Sequence, residues 1–156
     1  MAIKSMLVRA AAPGDIAALA TLIERYWKFE SIANFSRPRV ESLLAELVSS
    51  SDRGACWVAE VDGELCGYLV AVFVMSLEHG GMMAEIDEFF VADDLRSTGV
   101  GALLLTRCER DLAQRGLVRL QLQLGIGNAG ARRFYERHGF AGREGYELLD
   151  KALAVA

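Results

Sequence analysis

Residues 84–104, Ala-Glu-Ile-Asp-Glu-Phe-Phe-Val-Ala-Asp-Asp-Leu-Arg-Ser-Thr-Gly-Val-Gly-Ala-Leu-Leu, constrain this chain more than any other stretch. The order is strand, short polar turn, two glycines, then an apolar-periodic helix. A helix start reached through Arg96, Ser97, Thr98, Gly99, Val100 and Gly101 carries backbone N–H groups with little side-chain bulk around them. Such groups lack intrahelical acceptors and sit at the positive end of the helix dipole, an arrangement suited to a phosphate or pyrophosphate. The strand just upstream carries three carboxylates, Glu85, Asp87 and Glu88. An anion site beside a cluster of bases points to group transfer from a nucleotide-tailed carrier. The competing reading is a tight strand–helix turn whose glycines serve backbone geometry alone. No Gly-Lys-Ser/Thr follows, so the turn is not a P-loop.

The rest of the chain surrounds this unit with alternating elements. Residues 5–10 read as a strand. Pro13 and Asp15 open a helix with Ile16, Leu19, Leu22, Ile23, Tyr26 and Phe29 on one face. Ser36 and Pro38 start a second helix with Val40, Leu43, Leu44, Leu47 and Val48, ending in Ser49-Ser50-Ser51. Ala55 to Val61, the Asp62-Gly63 turn and Leu65 to Ser76 predict a β-hairpin, and Glu78-His79-Gly80-Gly81 links it to a strand from Met83 to Ala92. The helix after the glycines carries Val100, Leu103, Leu104, Cys108 and Leu112 and stops at Arg115-Gly116. Val118 to Leu124 alternates like a strand, Asn128 to His138 is a short helix ended by Gly139, and residues 145–150 supply a last strand. The order β-α-α-β-β-β-α-β-α-β predicts a single α/β domain over residues 1–156, a mixed central sheet flanked by helices.

Bulk properties narrow the function classes. Apolar residues are 53% and charged residues 24%, which argues against disorder. The longest apolar run, Tyr68 to Val74, suits a buried strand and not a membrane span. The start, Met1-Ala2-Ile3-Lys4-Ser5, lacks the apolar segment of a signal peptide, and a cytoplasmic location is the expectation. Cys56, Cys66 and Cys108 have no metal or disulfide spacing and read as buried small hydrophobes; no metal is expected. Residues 53–95 carry one basic and nine acidic side chains, whereas residues 96–156 carry ten basic and six acidic. That polarity suits an anionic cofactor on one side and a cationic substrate on the other. No basic run with interleaved aromatics suggests a nucleic-acid surface.

Two further patterns need weighing. Gly125-Ile126-Gly127-Asn128-Ala129-Gly130 matches the dinucleotide-binding fingerprint, but only 26 residues follow it, too few to complete such a fold. Tyr135 lies in Arg132-Arg133-Phe134-Tyr135-Glu136-Arg137-His138, where its hydroxyl could protonate a leaving thiolate or its ring could simply pack. His79 reads as loop and His138 as a helix C-terminus, neither catalytic.

The unit strand–Arg96-x-x-Gly99-x-Gly101–helix, followed by Asn128, Tyr135 and Gly139-Phe140, resembles the GNAT superfamily of acetyl-CoA-dependent N-acetyltransferases over nearly the whole chain. Ile86-Asp87-Glu88-Phe89-Phe90-Val91 with Asp94-Leu95-Arg96 is similar to the diamine (spermidine/spermine) acetyltransferase branch, although Asp87 stands where those enzymes usually have Glu. The resemblance implies that the backbone of Phe89, Phe90 and Val91 pairs with the pantetheine arm and polarises the thioester carbonyl. It implies a pyrophosphate cradle from Arg96 and the N–H groups of Ser97, Thr98, Gly99, Val100, Gly101 and Ala102. It places Asn128 and Ala131 beside the pantetheine and makes Tyr135 the general acid. The general base is an acid on the strand. By two-residue alternation Glu85 and Asp87 share a face and Glu88 takes the other, unless a bulge intervenes. Asp87 is the expected base, with Glu85 as its alternate or a water as relay.

The acceptor expected is a small-molecule amine, with no nucleic acid and no membrane as partner, in a homodimer. Trp27, Glu30 and Phe35 are candidate acceptor contacts. A catalytically silent acyl-CoA sensor and a protein N-terminal or lysine acetyltransferase are the alternatives.

Overall fold

The computed structural model describes residues 5–50 and 52–155. Residues 1–4, read above as a lead-in without a signal segment, and Ser51, read as part of a helix end, lie outside them. The chain divides into two compact units, one ending at Leu122 and the other beginning at Gln123.

In the first unit a five-stranded sheet has the order β1 (Met6–Ala10), β2 (Gly54–Val61), β3 (Glu64–Ser76), β4 (Gly81–Val91), β5 (Leu120–Leu122). The first four strands pair antiparallel and β4 pairs parallel with β5, so the sheet is mixed. The predicted hairpin forms, with Asp62 and Gly63 both at positive φ (51° and 87°) as its tight turn requires.

One face of the sheet is covered by α1 (Ile16–Phe29) and α2 (Arg37–Ser49). Their Leu19, Leu22, Ile23, Val40 and Leu44 form one buried cluster with Cys56, Val58, Tyr68, Val70 and Phe90. The alternation of apolar positions that predicted both helices is the cause: each buries one stripe against β-branched and aromatic strand residues. Leu43, expected on that stripe, is exposed; Val40, Leu44 and the half-buried Leu47 already complete it.

The other face holds α3 (Val100–Gln114), whose buried residues are Val100, Leu104, Leu105, Cys108 and Leu112. Leu103, expected inside, is half-exposed, and Leu105 takes the buried place one step round the helix. A polar clamp fixes this helix: Asp111 accepts from Trp57 Nε1 (2.9 Å) and Arg107 Nε (2.7 Å), while Arg107 Nη1 reaches the Val8 carbonyl (3.0 Å). Gly67 on β3 permits the close approach, since a Cβ there would stand 3.2 Å from Leu104 Cδ1 and 3.0 Å from the Phe90 carbonyl oxygen. These contacts dock α3 on the sheet, and its first residue, Val100, is fully buried.

The second unit contains α4 (Ala129–Arg137). The strand expected over residues 145–150 does not form. Gly145 turns the chain at φ 81°, and Tyr146, Leu148 and Leu149 are exposed. A strand is stable only with a partner, and these residues pair with none among the described residues. The strand expected over residues 118–124 is likewise reduced to the three residues of β5. All three cysteines are free and buried, as expected. No helix among the described residues is long and apolar enough to cross a membrane.

Candidate active site

The decisive local feature of β4 is a bulge. Val70 pairs with Glu88 and Ala71 with Ile86, which leaves Asp87 as the extra residue. Strict alternation predicted Glu85 and Asp87 on one face and Glu88 on the other. The bulge corrects this. Glu85 lies opposite Val72 and Glu88 opposite Val70, and Val70 belongs to the α1-side cluster, so both glutamates share that face. Asp87 sits at the break itself.

The three carboxylates now have different surroundings. Glu85 Oε2 accepts from Gln121 Nε2 at 2.7 Å. Glu88 is gripped at both oxygens, by Tyr68 Oη (2.8 Å) and Trp27 Nε1 (2.9 Å). Burial raises its pKa, the two donors oppose that rise, and the neighbouring Asp87 charge adds to it. Asp87 is exposed and has neither a hydrogen bond nor a cationic partner among the described residues. Partial burial of its carboxyl and the Glu85 charge push its pKa up. Of the three, Asp87 is the carboxylate with proton-accepting capacity still uncommitted.

Around Glu88 lies an aromatic wall. Tyr26 stands edge-on to Tyr68 (6.5 Å between centroids), Phe90 packs against both (6.0 and 6.2 Å), and Trp27 meets Phe35 at 5.6 Å. Burial and the charges of Glu30, Glu88 and Asp87 push the Tyr26 phenol up to about 12. Trp27 and Phe35, candidate acceptor contacts by sequence, are thus packed on each other, with Trp27 also bonded to Glu88. The bond from Tyr68 to Glu88 was not legible in the sequence, because Tyr68 reads as part of an apolar strand and the bulge is what turns Glu88 to its face.

Beyond the bulge, β4 continues to Val91, while its ladder to β5 stops at Ile86. A short 3₁₀ turn, Asp93–Leu95, then leads to the glycines. Ser97 takes a left-handed conformation (φ 62°), as does Gly99 (φ 94°), which is the residue before α3. No side chain caps the helix, and a Cβ built at Gly99 would meet nothing within 4 Å. The amides of Val100, Gly101 and Ala102 are the first-turn donors that lack an intrahelical acceptor. Open space beside a fixed, uncapped helix start fits a phosphate. The Arg96 side chain is engaged elsewhere: Nε donates to the Val91 carbonyl (3.2 Å) and Nη2 pairs with Asp93 (2.8 Å).

In the second unit, Asn128 caps α4, its Oδ1 accepting from the Ala131 amide at 3.1 Å. The two residues expected beside a pantetheine are thus also bonded to each other. Tyr135 is half-buried, its ring edge-on to Phe134 (5.3 Å) and Phe140 (5.4 Å). His138 bonds the Phe134 carbonyl through Nδ1 (2.8 Å), in keeping with a helix-end role.

A family model described as the acetyltransferase (GNAT) family matches residues 17–140. The chain belongs to the GNAT acetyltransferase family. An uncharacterised N-acetyltransferase of Archaeoglobus fulgidus is 31% identical over 114 residues, covering 72% of this chain and 77% of that protein. An uncharacterised N-acetyltransferase of Methanocaldococcus jannaschii is 33% identical over 95 residues. That match takes in 60% of this chain but only 42% of the longer relative. Among solved structures, the aminoglycoside N-acetyltransferase AAC(6')-Iy in complex with CoA has the same fold, with a TM-score of 0.82 at 17% identity over 96% of each chain. Family and relatives together mark this GNAT chain as an acetyltransferase.

Proposed function

We propose that the two units act as one acetyl-CoA-dependent N-acetyltransferase domain that transfers acetyl directly to a primary amine, with a small cationic amine as acceptor. One observation carries the reading: a single strand–turn–helix unit presents an uncommitted carboxylate at a bulge and, beyond it, an uncapped, uncrowded helix start. The first suits an ammonium that must lose a proton, and the second suits a CoA pyrophosphate. The complex of AAC(6')-Iy with CoA supports the same cofactor for this fold.

Acetyl-CoA supplies the activated acyl group as its thioester. The N–H groups from Ser97 to Ala102 hold its pyrophosphate, and the β4 backbone from Phe89 to Val91, running on past the end of β5, lines the pantetheine arm. A donor of this strand placed at the thioester oxygen stabilises the charge that develops there. Asp87, with Glu85 as alternate, takes the proton of the acceptor ammonium, and Tyr135 returns a proton to the departing thiolate. Glu85, Asp87 and Glu88 together attract a cation, and the half-buried rings of Tyr26, Trp27 and Phe35 contribute apolar contact to its carbon chain and cation–π contact to its ammonium groups. This acidic, aromatic arrangement, together with Asp87-Glu88-Phe89-Phe90-Val91, supports the diamine branch in particular. The protein acts in the cytoplasm as a homodimer on this reading.

Two measurements test it. Gly101→Val adds a branched side chain next to the first-turn amides and is expected to weaken CoA binding about tenfold or more by calorimetry, with an unfolding midpoint close to the parent's. CoA affinity equal to the parent's would remove the phosphate assignment. Gly99 is the poorer probe, because any side chain at φ 94° adds backbone strain of its own. For the acceptor, thiol release is measured with diamines, neutral amino sugars, amino acids and peptides. Diamines are expected to give the highest kcat/KM. Turnover confined to neutral or acidic acceptors, or to peptides, would refute the cationic small-amine assignment.

A further inference from the structure

We propose that Arg96 is a positioning residue: it ties the C-terminal end of α1 to the end of β4 and so sets the acceptor-side wall, and its side chain is not a phosphate ligand. The guanidinium carbon stands 4.4 Å from the centre of the Phe29 ring and 5.6 Å from that of Phe90. Phe29 is the last residue of α1 and is 58% exposed, so little else covers it. In the plane of the guanidinium, Nε donates to the Val91 carbonyl and Nη2 pairs with Asp93. One planar group thus bonds the strand end along its edge and presents a face to the helix end.

The consequence reaches the acceptor side. Past Phe29 the helix closes with Glu30 N–H to the Tyr26 carbonyl (2.9 Å) and Ile32 N–H to the Trp27 carbonyl (2.8 Å), around a left-handed Ser31 (φ 57°). The same last turns carry Tyr26 against Phe90 and Trp27 on Glu88. Holding Phe29 therefore holds the register of Trp27 and Tyr26 against the carboxylates. Arginine is required for this and lysine does not suffice, because an ammonium offers no planar face and no second donor in fixed geometry. The effect on the acceptor rests on the function proposed above; the link between Arg96 and α1 does not.

The test compares the parent with Arg96→Gln and Arg96→Lys. In the protein without ligands, hydrogen exchange at the amides of Glu30 and Ile32 is expected to quicken about tenfold in both variants, while amides in the centre of α3 stay unchanged. In turnover, the amine KM is expected to rise about tenfold with a smaller change in kcat, and CoA affinity and its salt dependence are expected to stay within about threefold of the parent. Unchanged exchange at the end of α1 would overturn the proposal. So would a tenfold loss of CoA affinity in Arg96→Gln that Arg96→Lys restores, because charge alone would then be the requirement. If the parent itself binds no CoA, the cofactor reading falls, and the exchange rates still decide the role of Arg96.

Discussion

Tyr135→Phe is expected to lower turnover by roughly ten- to a thousand-fold while leaving folding and CoA affinity close to the parent's. The change removes one oxygen and keeps the ring. Its edge-on contacts with Phe134 and Phe140 are therefore kept, and so are the backbone bonds from His138 and Phe140 to the Tyr135 carbonyl, both 3.0 Å. What is lost on the proposed mechanism is the proton donor for the leaving thiolate. The loss should be largest with acceptors for which chemistry limits the rate, so pre-steady-state thiol release is the appropriate measure. Normal single-turnover rates in Tyr135→Phe would leave the tyrosine with a packing role alone.

The second large effect is expected at Asp87. Partial burial and the Glu85 charge both favour the protonated acid, so the acidic limb of the pH–rate profile should lie above the ordinary carboxylate range of about 3.9. Asp87→Asn removes the proposed proton acceptor. kcat/KM should fall by about a hundredfold, and the remaining limb should move to higher pH, where the free amine itself becomes available. Glu85→Gln removes the like charge and should move the limb the other way, to lower pH. Stability supplies a separate check. A carboxyl whose folded pKa lies above its unfolded value binds more protons folded than unfolded, so stability falls as pH rises through that window. Asp87→Asn abolishes the loss and should unfold no earlier than the parent at neutral pH. An acidic limb that does not move in either variant would exclude Asp87 as the base.

These effects depend on a feature that alternation could not reveal. Ile86, Asp87, Glu88 and Phe89 read as an unbroken strand, and nothing in their residue types marks Asp87 as the extra residue opposite the Val70–Ala71 step of the partner strand. A bulge is a property of pairing, and pairing is non-local. The strand–glycine–helix unit was legible because its signals are local: a strand pattern, small residues and the 3.6-residue period of α3. The buried stripes of α1 and α2 were legible for the same reason. Leu43 and Leu103 were misplaced because several leucines fit each stripe and the neighbouring strands decide which is buried. Residues 145–150 predict a last strand, but they find no hydrogen-bonded strand partner among the described residues, and sequence alone does not supply one. Arg96 and Asn128 were noticed as family positions, whereas their bonds to Val91 and Ala131 show local work that a pattern does not record.

The account turns on direct transfer of acetyl from CoA to an amine, and one measurement addresses it. The protein is mixed with acetyl-CoA and a diamine, quenched through the first turnover, and assayed for free CoA thiol, acetylated amine and the mass of the intact protein. Equal amounts of thiol and acetyl-amide, with no acetylated protein at any time, are the expected result. Acetyl-CoA that binds but yields neither product with any amine, or an acetylated protein that forms and decays ahead of the amide, would contradict it.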